Sequence, residues 1–274
     1  MRVDSHQHFW RYSPEEYPWM QPEWVIRRDF MPADLAPALR AHGLDGSVAV
    51  QARQTLEETR WLLRLTDGSP GVLGVVGWVD LRSPRVEEEL AEFTAHPKFV
   101  GVRHVVQDEP DDRFMLRKDF QRGIGKLRAF GLTYDILIFP RQLPAALELV
   151  RSFPDQPFVV DHLAKPQVSD RIISPWREQM RELAASRNVM CKVSGLVTEA
   201  RWHAWQADNF RAYLDVVFEA FGVDRLMYGS DWPVALLAAN YEQVYTLVAD
   251  YAARCGTGAD KKIFGLNAAR FYEL

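Results

Sequence analysis

Val3-Asp4-Ser5-His6-Gln7-His8-Phe9 reads as a short strand, apolar at both ends and polar between. It is the first of eight such runs. The others are Gly46–Ala52, Val72–Asp80, Phe99–Val106, Thr133–Phe139, Pro157–Leu163, Val189–Gly195 and Arg225–Trp232, rich in Val, Ile, Phe and Tyr. Helical spacing fills the gaps between them. Phe120, Ile124 and Leu127 fall on one face, as do Leu143, Leu147 and Val150; Phe210, Leu214, Val217 and Phe221; and Tyr241, Val244, Tyr245 and Val248. Gly43, Gly131 and Gly222 each follow such a segment, where a left-handed cap would end a helix. Strands alternating eight times with helices, without a Gly/Ser-rich linker, predict an α/β fold: one (β/α)8 TIM barrel spanning residues 1–274 as a single domain. A doubly wound open sheet lacks support, because no G-x-G-x-x-G follows the first strand.

Composition narrows the function classes. The 274 residues carry 33 Lys+Arg against 37 Asp+Glu, a net charge of -4, which argues against a basic nucleic-acid-binding face. At 47% hydrophobic the chain can bury a large core, yet no segment has the apolar length of a membrane span. Residues Met1–His6 lack the apolar stretch of a secretion signal, so a cytoplasmic chain is expected. Two cysteines, Cys191 and Cys255, are too few for a disulfide scaffold or a cysteine zinc site.

In such barrels chemistry sits at the C-terminal strand ends and the loops beyond them. Three long loops stand out: Trp10 to about Met31, the acidic Gln107–Arg113 and Leu196–Gln206. The first and third are rich in aromatics, which suits a small organic ligand; Trp10, Trp24 and Trp202 are the ligand candidates. Period two puts Asp4, His6 and His8 on one face of the first strand, where two imidazoles could hold a metal or polarise a carbonyl. The blander reading is a hydrogen-bonded polar strand end. Asp231, in Gly229-Ser230-Asp231-Trp232-Pro233, ends the eighth strand, with Pro233 directing an extended exit. It could shuttle a proton, or simply cap a turn. His162 ends the sixth strand, while Asp161 alternates to the other face. Arg103 ends the fourth and needs an anionic or strongly polar partner; His104 points away from it. Lys192 and Ser194 line the seventh strand, where a lysine could simply pair with an acid.

Taken together, Asp4-Ser5-His6-Gln7-His8-Phe9-Trp10, Gly101-Val102-Arg103, Asp161-His162-Leu163-Ala164-Lys165-Pro166, Lys192-Val193-Ser194-Gly195 and Gly229-Ser230-Asp231-Trp232-Pro233 resemble the amidohydrolase superfamily, in its sugar-lactonase branch. Ile263–Tyr272 resembles that family's closing helix. The resemblance implies catalytic roles for His6, His8, Arg103, His162 and Asp231, with Lys165 joining the three tryptophans in substrate binding. It implies no binuclear centre, because the fourth strand offers Arg103 and His104 in place of a bridging Lys or Glu and Thr133–Phe139 has no histidine. No cofactor is obligatory in that branch; a single zinc on His6, His8 and Asp231 remains chemically open.

The reaction so implied is hydrolysis of a sugar-derived lactone, of L-fucono- or L-rhamnono-type, to its aldonic acid. Asp231 takes the proton from the attacking water and returns it to the ring oxygen. Two rivals stand beside it: a single-zinc hydrolase or decarboxylase of a small carboxylated ring compound, and a barrel that binds a small molecule without turning it over.

Overall fold

The computed structural model describes residues 1–274. Eight parallel strands form one sheet in chain order: β1 (Val3–Gln7), β2 (Gly46–Val50), β3 (Val72–Gly77), β4 (Phe99–His104), β5 (Thr133–Ile136), β6 (Phe158–Val160), β7 (Val189–Val193) and β8 (Leu226–Tyr228). The sheet closes on itself where Gln7 bridges Trp232. There the His8 N–H donates to the Trp232 carbonyl at 2.7 Å, and the Asp231 N–H donates to the His6 carbonyl at 2.8 Å. A helix follows each strand: α1 (Pro32–Ala41), α2 (Leu56–Asp67), α3 (Val86–Thr94), α4 (Lys118–Leu127), α5 (Leu143–Ser152), α6 (Trp176–Ala184), α7 (Asp208–Phe221) and α8 (Tyr241–Ala252). This is the (β/α)8 barrel that the alternation predicts. No helix is long and apolar enough to cross a membrane.

Each strand starts within a residue of its expected position but ends two to four residues sooner. The physical reason lies at the mouth, where backbone groups leave the ladder to hold loops: the Leu137 carbonyl, just past β5, takes the Gln107 N–H at 3.1 Å. Alternation along a strand then sorts side chains. In β7, Val189, Cys191 and Val193 pack among the helix-facing core, whereas Met190 joins Val3, Val48, Val100, Val159 and Met227 inside the barrel. In α7 the buried stripe Phe210, Leu214, Val217 and Phe221 seals the outside of the sheet; truncating Phe210 to alanine should cost ~3–5 kcal/mol. Helix starts are fixed locally: the Thr55 hydroxyl accepts from the Glu58 N–H, and Asn240 and Gln243 cap each other's backbone. Gly131 and Gly43 take left-handed φ of 70° and 64°, as their place after helical segments suggests.

Candidate active site

His6 in β1 and His8 just past its end reach the barrel mouth through an irregularity. The β1–β2 register shifts between Asp4 and Gln7, so three residues on β1 run against two on β2. A bulge of this kind reverses which face the following side chains take. His6 and His8 therefore turn into the mouth while Asp4 does not share their face. Its carboxylate instead accepts from the Ser230 N–H at 2.8 Å and from the Tyr241 hydroxyl of α8 at 2.9 Å. The expectation of three residues on one face is corrected at Asp4. Gly229 makes room for His6, because a Cβ there would lie 2.6 Å from the His6 Cβ.

At β6 the alternation breaks again. His162, Leu163, Ala164 and Lys165 all take left-handed φ, between 50° and 55°. Left-handed backbone costs about 1–2 kcal/mol per non-glycine residue, and such strain persists where the surroundings impose it. The turn sends both Asp161 and His162 into the site, so Asp161 is not on the opposite face after all. Its Oδ2 pairs with Arg103 Nη1 at 3.1 Å, and its Oδ1 lies 3.4 Å from His6 Nδ1. Arg103 is clamped further by the Gln51 side chain and carbonyl. His104 points away, as expected, and bonds Glu109 at 2.7 Å. His162 Nδ1 meets the Ser194 hydroxyl at 2.8 Å, in a space that Gly195 leaves open.

Beneath these groups lies an ion cluster sealed from solvent. Lys192 Nζ reaches Asp135 Oδ2 at 2.5 Å, Asp161 Oδ1 at 3.0 Å and His6 Nδ1 at 3.1 Å. Tyr272, from the helix Asn267–Tyr272, enters from below and donates to Asp135 at 2.9 Å. Burial lifts the Asp135 carboxyl to about 6 despite Lys192. Burial would lift Asp161 too, but Lys192, His6 and Arg103 hold it well below the usual carboxylate range.

Asp231 completes the site from beyond β8. It takes a left-handed φ of 55°, so the chain turns sharply at Asp231 before Trp232, the residue that Pro233 restricts, pairs with Gln7 in a parallel bridge. Its Oδ1 stands 3.4 Å from His8 Nε2, 3.8 Å from His6 Nε2 and 3.9 Å from His162 Nε2. Burial acts to raise its pKa, but His162, His8 and Lys165 outweigh it, and the carboxyl sits below its ordinary value. Burial, the largest influence on both, keeps His6 and His162 far below the usual histidine range, hence neutral at pH 7. The site therefore presents an ionised carboxylate beside the neutral imidazoles of His6 and His162.

Above this floor opens a cavity of about 760 Å³, lined by His8, Arg103, His162 and Asp231 and roofed by Trp10, Trp19 and Trp24. The Trp10–Phe30 loop is pinned at its base by two backbone hydrogen bonds between those residues. Its indoles meet edge to face, Trp10 on Trp19 and Trp19 on Trp24. Trp202 lies outside the lining and packs edge-on against Trp24, with ring centres 5.7 Å apart. Lys165 does line the cavity. So do Glu16, Arg53, Gln54 and Thr198, which sequence reading missed. They sit on loops without periodicity or motif; only position after a strand end could have flagged Arg53 and Gln54.

His6 Nε2, His8 Nε2 and Asp231 Oδ1 stand 3.2, 3.4 and 3.8 Å apart pairwise. Tetrahedral zinc with ligands at about 2.0–2.1 Å sets its donors roughly 3.3 Å from one another, so the three fit a divalent ion. The outer contacts fit as well. His8 Nδ1 donates to the Val50 carbonyl at 2.8 Å, leaving Nε2 free, and Asp161 Oδ1, buried without a well-directed hydrogen bond, can accept from His6 Nδ1. The other tautomer of His6 suits the metal-free state: Lys192 donates to Nδ1 and Nε2–H donates to His8.

In this parallel barrel His6, His8, His162 and Asp231 converge at the mouth from the ends of the first, sixth and eighth strands, an arrangement that could activate water or hold a divalent ion. The amidohydrolase family profile matches residues 3–274. The chain belongs to the amidohydrolase family. It is 43% identical to an L-fucono-1,5-lactonase of Burkholderia multivorans over 286 aligned residues, covering 100% of this chain and 96% of the relative. An L-fucono-1,5-lactonase of Burkholderia ambifaria is 39% identical, with 100% and 96% covered. A crystal structure of an amidohydrolase from Burkholderia multivorans with bound zinc superposes with a TM-score of 0.96 at 43% identity, covering 100% of this chain and 99% of the other.

Proposed function

We infer that residues 1–274 act as one domain that hydrolyses a sugar-derived lactone, of the L-fucono-1,5-lactone type, to its aldonic acid. The observation that carries this reading is the Asp231 carboxylate, ionised and within 4 Å of three imidazoles at the floor of an aromatic cavity. The full-length likeness to two L-fucono-1,5-lactonases supports the choice of substrate.

Water attacks the lactone carbonyl carbon as Asp231 takes its proton. Negative charge gathers on the carbonyl oxygen, where His162 donates to it and the Arg103 guanidinium at the cavity wall adds a favourable field. With the Ser194 hydroxyl donating to His162 Nδ1, Nε2–H is the edge turned toward the cavity. The tetrahedral intermediate then collapses, the ring C–O bond breaks, and Asp231 returns its proton to the departing oxygen. The new carboxylic acid loses its own proton to solvent. Trp10 and Trp24 offer aromatic faces to the C–H side of a sugar ring, Lys165 offers a polar contact, and Trp202 supports Trp24 from behind. His6, His8 and Asp231 would hold a zinc ion, which when bound polarises the carbonyl and acidifies water.

The test is acid release from a panel of neutral sugar lactones, before and after chelation, with metal content assayed in parallel. Turnover of an L-fucono-1,5-lactone is expected. No turnover of any lactone in either preparation would overturn the reading.

A further inference from the structure

Each cation that lines the cavity is held by a carboxylate of the chain itself. Arg103 pairs with Asp161 at 3.1 Å and Lys165 with Glu199 at 3.8 Å, while Arg53 pairs with Glu16. Glu15 and Asp108 add two further carboxylates to the lining. Arg53 lies just past β2, with its guanidinium over the Tyr17 ring, and Glu16 comes from the Trp10–Phe30 loop. A ligand entering here meets aromatic faces and hydrogen-bonding groups, but no cationic side chain free to pair with it.

That arrangement separates a lactone from what it becomes. The lactone is uncharged; adding water across its ester bond yields a hydroxy-acid that ionises and carries one negative charge. We propose that the internal ion pairs make the cavity selective for neutral lactones and repellent to anions, the ring-opened product included, with Glu16 as the specificity-determining residue that keeps Arg53 from binding a carboxylate. This rests on the lactonase reading for the identity of the product, not for the repulsion of anions. The same pairing excludes lactones that bear carboxylate groups, since each would need a cation to receive it. Glu16 is the accessible lever because its side chain is 49% exposed, whereas Asp161 is buried within the catalytic floor.

The experiment compares the full chain with Glu16→Gln and with Glu16→Gln/Arg53→Gln. Succinate binding is followed by calorimetry, and inhibition by the ring-opened acid is followed during lactone turnover. In Glu16→Gln both anions should bind about fivefold tighter or more, an effect of the size an exposed ion pair allows and one that added salt weakens. The double variant should return to the affinity of the unaltered chain. A merely structural role for Glu16 would loosen the loop and weaken every ligand alike, which is the opposite sign. Unchanged succinate affinity in Glu16→Gln, or no reversal in the double variant, overturns the proposal. Failure of the lactonase reading is told apart because it abolishes turnover while the calorimetry still gives its answer.

Discussion

Replacing Asp231 by asparagine tests the chemistry most directly. The side chain is 6% exposed and keeps its shape, so the fold should survive. What changes is that the atom 3.4 Å from His8 Nε2 and 3.9 Å from His162 Nε2 can no longer accept a proton from water or return it. A general base contributes ~10²–10⁴-fold, equivalent to about 2.7–5.5 kcal/mol of transition-state stabilisation. Because Asp231 serves both attack and ring-oxygen departure, the upper half of that range is expected in kcat/KM. Acid release in lightly buffered solution with a pH indicator, corrected for spontaneous opening, gives the rate. The pH profile sharpens the test. The Asp231 carboxyl lies below its ordinary value of 3.8, so kcat/KM of the unaltered enzyme should stay flat down to about pH 4, and that limb should vanish in Asp231→Asn. A variant within threefold of the original, or a limb near pH 6–7 from a histidine base, would refute the assignment.

Other consequences are open to measurement. Lys192→Met leaves Asp135 and Asp161 buried without their shared cation, and chemical denaturation should register a loss of ~3–5 kcal/mol; a loss under 1 kcal/mol would mean that the cluster is not paired as described. Tyr272→Phe removes the hydroxyl that serves Asp135 and should cost ~1–3 kcal/mol by the same method. Burial lifts the Glu58 carboxyl to about 8 from 4.5, so the folded chain keeps a proton that the unfolded chain releases between those values. Its stabilising effect is full below pH 4.5 and is lost as pH rises toward 8, by up to ~1.4 kcal/mol per unit; Glu58→Gln should flatten that slope in melts at successive pH values. Zinc added at about 100 times its Kd should stabilise the chelated protein by ~2.7 kcal/mol, and His8→Ala should abolish the shift.

Much of this could be read from the chain. Strand starts are legible because β-branched runs follow turn residues, and the helix stripes because burial follows their period: Phe120, Ile124 and Leu127 are all buried, as their spacing implies. Asp4 and Asp161 were not legible, and for one reason. Assigning a face by counting residues assumes unbroken alternation, yet a bulge intervenes in β1 and a left-handed turn after β6. Neither leaves a glycine as a marker: Asp4 to Gln7 and His162 to Lys165 contain none. Arg53, Glu16 and Thr198 were hidden differently, since loop residues owe their place in the lining to tertiary packing. Trp202 shows the converse, an aromatic in a mouth loop that supports another aromatic instead of the ligand.

The cluster around Lys192 has a temporal consequence. During synthesis His6 emerges early, but Lys192, its partner, is 186 residues away, and Asp4 waits 226 residues for the Ser230 N–H. Until then the Asp4 carboxylate and the His6 ring lack these partners and must stay hydrated. Contacts this distant are entropically slow to close, so they join late in folding. The nascent chain thus passes most of its translation without a working centre. Activity should switch on in a single step, once β7, β8 and Tyr272 have closed the ring.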